Sequence, residues 1–163
     1  MTELTPEQNA ERSETIAKMN DLARIMGRPC LARAVMTQGV AALPAPELDQ
    51  IMREIRCYEN WTRGNDTYAE RDFGVLTRVT RNGVTKWTQE PQPDLKDGEP
   101  RLNKVFFKMD YYHKPTSAAE RKLYNLPDEW AIGAEDAITY GSPDPSKGSI
   151  TDRILTIMLA EEY

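Results

Sequence analysis

Asn82-Gly83 is the feature that most narrows what this chain can fold into. Asn and Gly both tolerate the positive φ that a type I′ turn demands, and strand-like runs flank the pair, Phe73 to Arg81 and Val84 to Thr88. A β-hairpin is predicted there. Lys104 to Tyr112 is the clearest further strand: Val105, Phe107, Met109 and Tyr111 fall on one face, with Lys104, Lys108 and Asp110 on the other. Leu31 to Val40, carrying Val35, Met36 and Val40, reads as another strand with poorer alternation.

Helix signals surround these runs. Thr5-Pro6-Glu7-Gln8 combines an N-cap, a first-turn proline and a glutamine three residues on, and Gly27 followed by Pro29 closes the element. Ile16, Met19, Ala23 and Met26 give that helix one apolar face. Pro44-Ala45-Pro46-Glu47 opens a second helix with a stripe of Leu48, Ile51, Met52, Ile55 and Tyr58. Ser117 and Glu120 form a capping box for a short helix towards Tyr124. Ser149 to Asp152 is expected to start a last helix, lined by Ile150, Ile154, Ile157 and Met158 at i, i+4, i+7 and i+8. Gly141 to Pro145 must turn. The expected fold class is α+β, a small antiparallel sheet of about three to four strands with helices packed mainly on one face.

A length of 163 residues suits one domain. Within 1–163 the N-terminal helix occupies 1–28, an exposed proline-rich loop 89–103, and a longer insert-like segment, anchored by Trp130, 114–138. Met1 to Asn20 carries Glu3, Glu7, Glu11 and Glu14, unlike a secretory signal, so a cytoplasmic location with no membrane partner is expected. Cys30 and Cys57 are expected as buried thiols; with no CxxC pair and His113 the single histidine, a structural zinc site is not expected. The net charge of −5 is uneven: residues 128–163 hold 2 basic against 8 acidic residues, which favours a basic partner there and disfavours direct nucleic-acid binding.

Three stretches carry a resemblance: Asn65 to Gly74, Val105 to Tyr112, and Tyr140 to Pro145 running into Arg153 to Tyr163. Together they resemble the bacterial domain-of-unknown-function family numbered 3768, whose members end in a similar helix. The resemblance implies an accessory protein of plasmids and integrated mobile elements. Arg71 stands where a His is common in the family, and His113 where an Asp is common, so no catalytic histidine is carried over at position 71.

Two readings of the chemistry follow. Asp66, Glu70, Asp72, Asp110 and Asp144 could supply oxygen ligands for Mg or Mn in a divalent-metal-dependent hydrolase of the phosphodiesterase or nuclease type. Against it, Asn65, Asp66 and Asp144 suit side-chain-to-backbone turn bonds. The leading expectation is a non-catalytic binding protein of a mobile element, without a cofactor, that inhibits a host-defence protein of the anti-restriction or anti-CRISPR type by direct contact. Tyr68, Tyr112, Tyr140, Glu161, Glu162 and Tyr163 are its candidate interface, tyrosine being suited to surfaces half apolar and half wet.

Overall fold

The Asn82-Gly83 turn forms with φ 52° and 75°. It joins β2 (Phe73–Arg81) to β3 (Val84–Thr88) in an antiparallel pair with Arg81 opposite Val84. The structure, a computed structural model, describes residues 4–28, 30–89, 104–114, 116–126 and 141–163. The proline-rich stretch 90–103, Trp130 and Tyr140 lie outside the described residues. β4 (Lys104–His113) pairs antiparallel with β2, setting Phe107 opposite Gly74. A methyl group at Gly74 would overlap the Phe107 ring, so the close packing there needs glycine.

The last element corrects the expectation. Residues Thr151–Leu159 form a strand, β5, closed by a 3-10 turn over Ala160–Glu162, and no terminal helix forms. β5 lies antiparallel to β4 and parallel to β1 (Arg33–Met36), which gives one sheet in the order β1-β5-β4-β2-β3. The sheet is therefore mixed and curled, with five strands rather than three to four antiparallel ones. Thr151, Arg153, Leu155 and Ile157 point to one face, and Met158 is buried on the other, so β5 is apolar on both sides. Such a strand carries no clean period of two, and its isoleucines imitate a helical stripe.

Four helices complete the described fold. α1 (Pro6–Met26) starts with the expected Thr5 and Gln8 capping box and stops at Gly27, φ 66°. α2 (Gln38–Ala41) is a single turn that shortens the strand expected over Leu31 to Val40. α3 (Ala45–Arg56) and α4 (Ala118–Leu123) lie where predicted, α4 behind its Ser117 and Glu120 box. Ala23 of α1 and Ile51 and Ile55 of α3 cover Leu76, Trp87, Val105, Phe107, Met109, Leu155 and Ile157, which share one sheet face. That helix-on-sheet layer is the core.

Candidate functional site

Asn20, in the middle of α1, is fully buried and ties helix to sheet. Its amide nitrogen donates to the Glu70 carbonyl at 2.9 Å and the Tyr111 hydroxyl at 2.6 Å. Its amide oxygen accepts from Arg153 Nε at 3.0 Å, while another Arg153 nitrogen donates to the Pro145 carbonyl at 2.6 Å. The guanidinium lies 5.5 Å from the Tyr111 ring centroid. Burial holds the Arg153 pKa below its usual range, and burial with the nearby acids raises that of the Tyr111 phenol. Buried polar atoms persist where they find partners, and these serve the fold.

The acidic residues predicted as metal ligands surround this junction unevenly. The loop before β2 takes positive φ at Ala69 (56°) and Arg71 (54°), and Asp66 Oδ1 pins it by accepting from the Arg71 N–H at 2.8 Å. Burial raises the pKa of Glu70, helped by Asp72 and Asp66; burial also raises that of Asp72, with Asp66 and Asp110 adding to it. The structure thus sets Asp66 near Glu70 and Asp72, and Asp110 near Asp72. Asp110 is engaged by Thr156 at 3.3 Å and Lys108 at 3.1 Å. Asp144 stands apart, accepting from Arg12 at 3.2 Å and from the Ser146 N–H and hydroxyl at 3.1 and 2.6 Å. Burial pushes the Asp144 carboxyl up, but those hydrogen bonds outweigh it and leave the pKa lowered. Among the described residues no three His, Cys, Asp or Glu side chains gather into a geometry that could hold a metal ion. Asn65, Asp66 and Asp144 do make side-chain-to-backbone bonds: Asn65 Oδ1 accepts from the Thr62 N–H at 2.7 Å, beside the Asp66 and Asp144 bonds above.

A concavity lies at the C-terminal ends of α1 and α3. A groove of about 710 Å³ runs between them, with Tyr58 and Trp61 as its aromatic wall and Arg24, Arg56 and Arg71 as its cations. Arg24 forms the floor: 95% buried, it donates to the Ile55 carbonyl at 2.8 Å, pairs with Asp21, and lies 4.8 Å from the Trp61 ring centroid. The Ile55 carbonyl belongs to the last turn of α3, where a cation offsets the negative end of the helix dipole. Asp21 gives its second oxygen to Arg71. Tyr58 is held by Asn65 Nδ2 at 3.0 Å and the Val75 N–H at 3.2 Å, both donating to its hydroxyl, and its ring meets Trp61 edge-on at 4.6 Å.

The family described as protein of unknown function (DUF3768) matches residues 36–125. The chain belongs to it. The DUF3768 match includes the groove's Arg56, Tyr58, Trp61 and Arg71, while Asp21 and Arg24 on α1 precede it. It also includes the stretches Asn65 to Gly74 and Val105 to Tyr112, and stops short of β5. No curated protein matches the chain, and no solved structure does.

Among the described residues, the expected interface positions do not form one patch. Tyr68, 74% exposed, stands over a concavity against the N-terminal half of α1. Tyr112 is half-buried on β4, where its backbone bridges Gly141. Tyr163 is exposed but rests its ring edge-on to Phe73 and Phe106 at 6.2 and 5.7 Å, on the sheet face away from the helices. Glu161 is exposed. Glu162 reaches the start of α2, accepting from the Thr37 hydroxyl, the Gly39 N–H at 2.9 Å and the Leu159 N–H at 3.0 Å; the Thr37 bond leads these in lowering its pKa. Its carboxylate is an internal cap on a helix N-terminus. The cysteines are corrected too: Cys30 and Cys57 are exposed free thiols, and Cys57 lines the groove at the end of α3.

The groove escaped sequence reading because its walls come from three separate segments. One signal was present. Leu22, Ile25 and Met26 stand at i, i+3 and i+4, a second apolar stripe on α1, and Met26 belongs to it rather than to the inward face.

Proposed function

We propose that this protein is a non-catalytic binding protein that acts by direct contact with another protein, through the groove and the adjoining outer stripe of α1. The carrying observation is that α1 is apolar on two sides. Ile16, Ala17 and Ala23 are buried, while Leu22, Ile25 and Met26 are 47%, 59% and 62% exposed. Ile25 lines the groove, and Leu22 and Met26 continue the stripe away from it, Leu22 lining a separate hollow with Met19 and Cys30. A surface helix ordinarily buries one stripe and shows water a polar face. A cluster of exposed apolar residues next to aromatic and arginine side chains matches the composition of protein interfaces.

Three of the carboxylates put forward as metal ligands, Asp66, Asp110 and Asp144, are engaged in hydrogen bonds that shape turns and strands. Their placement supports a binding role over hydrolysis. The family resemblance adds a setting to the proposal: an accessory protein of a mobile element, with a host-defence protein as partner. Internal use of Glu162 moves the proposed contact from the C-terminal residues to α1 and α3.

The test compares proteins retained from bacterial lysate by the wild type and by the Ile25→Asp, Met26→Asp double variant, scored by quantitative mass spectrometry. Both positions are exposed, so the variant keeps its fold, which circular dichroism checks. A partner retained by the wild type and lost by the variant is expected. Identical sets would sink the proposal.

A further inference from the structure

The groove has a sign as well as a shape. Asp21 is consumed between Arg24 and Arg71, and Arg24 is turned inward to the Ile55 carbonyl. At the surface stand Arg56, which is exposed, and Arg71, whose side chain is 45% exposed and shares Asp21 with Arg24. Glu59 is the other acid of the lining, so its three arginines exceed its acids by one. Arg53, in the last turn of α3, and Arg28, just past the Gly27 cap of α1, are both exposed. A chain of net charge −5 therefore presents a locally cationic rim around an aromatic wall and an aliphatic shoulder.

We infer that the groove and the outer stripe of α1 take an acidic amphipathic segment of a partner protein. Its apolar side chains pack on Leu22, Ile25 and Met26, and its carboxylates meet Arg56 and Arg71. The inference rests on the binding reading above and names the partner's chemistry. Three features favour this occupant. The exposed stripe has the i, i+3, i+4 spacing that matches the apolar face of an opposing helix. Arginine's planar fork binds carboxylates in pairs of hydrogen bonds. Arg24 and Asp21 preset one wall, so little ordering is required on this side. The charge preference is opposite to the basic partner expected for the acidic last stretch, because rims select partners by their own local potential rather than by net charge.

The probe is a pair of capped helical peptides of about 18 residues, leucines at i, i+3, i+4 and i+7, flanked by glutamates in one and lysines in the other. They are titrated into the isotope-labelled full chain and followed by NMR, with the Trp61 indole N–H as reporter. The glutamate peptide should bind about tenfold or more tightly than its twin, and weaken severalfold as salt rises from about 0.05 to about 0.5 M. Its shifts should map to Leu22, Ile25, Met26 and Trp61. Arg56→Glu should erase the preference, and Ile25→Asp should weaken both peptides. Equal or tighter binding of the lysine peptide overturns the inference, as does no binding of either by about 1 mM. Concentration-dependent shifts without peptide would assign the stripe to a second copy of the chain. Tighter capture of single-stranded oligothymidylate by the same signals would assign the arginines to nucleic acid; either result overturns it. A partner lost in the lysate comparison together with failure of the peptide pair would leave the binding reading standing and this one fallen.

Discussion

Two arginines in this protein lie over aromatic rings, and their surroundings give them different work. Arg153 lies 5.5 Å from the Tyr111 centroid, with Nε on Asn20 and a terminal nitrogen on the Pro145 carbonyl. Arg24 lies 4.8 Å from the Trp61 centroid, and among the described residues its Nε has no hydrogen-bond partner. Both are nearly buried, at 4% and 5% exposure. The first sits inside a junction of α1, β4 and β5; the second floors a groove whose other cations, Arg56 and Arg71, reach water. A guanidinium on a ring is thus no functional sign by itself. What separates the two is whether the neighbouring charges have been consumed by the fold.

The largest effect that would break this contrast is at the sealed junction. Arg153→Ala strands the Asn20 amide oxygen and the Pro145 carbonyl and should cost about 3 kcal/mol or more, read by urea denaturation. A loss below about 1 kcal/mol would mean the junction is not what holds α1 to the sheet. Tyr111→Phe removes one acceptor from Asn20 and should cost about 1 kcal/mol in the same assay.

Glu70→Gln and Asp72→Asn carry the opposite sign. Burial and mutual repulsion raise both carboxyls in the fold, so each ionised group destabilises it at neutral pH. Acidification relieves that cost as pH falls through the raised folded values towards the unfolded ones, and below about pH 4 nothing remains to relieve. Each substitution should stabilise at pH 7 by at most about 1 kcal/mol, since both groups keep partial solvent contact, and the gain should vanish in acid. The smallest effect is Arg56→Ala, expected to leave stability within about 0.5 kcal/mol while weakening the glutamate peptide; a large stability loss would make that arginine part of the scaffold.

Much of the local structure was legible in particular residues. Thr5 with Gln8 and Ser117 with Glu120 fold as capping boxes, and Lys104 to Tyr112 alternates as written. These signals are short-range chemistry, a side chain satisfying a backbone group within a few residues. β5 was misread because it carries apolar residues on both faces, with Ile154 half-buried opposite the buried Leu155 and Ile157, so that Ile150, Ile154 and Ile157 mimic a helix. The density of β-branched residues, with Thr151 and Thr156 among them, was the available correction. Of the candidate carboxylates, Glu70 and Asp72 do feel acidic neighbours, and the bonds of Asp66 to Arg71 and of Asp144 to Ser146 are local. Asp110 and Asp144, however, also bond Thr156 and Arg12 on distant segments.

By itself, then, the amino-acid order determined where helices begin, where the hairpin turns, which face of β4 is inward, and the family that the chain belongs to. Only the tertiary structure decided that β5 lies inside the sheet between β1 and β4, that Glu162 caps α2, and that Arg24, Trp61, Arg56 and Arg71 share a groove. The physical reason is range. Caps and turns are settled by atoms a few bonds apart, whereas strand order and the surplus charge of a groove depend on which distant groups neutralise one another first.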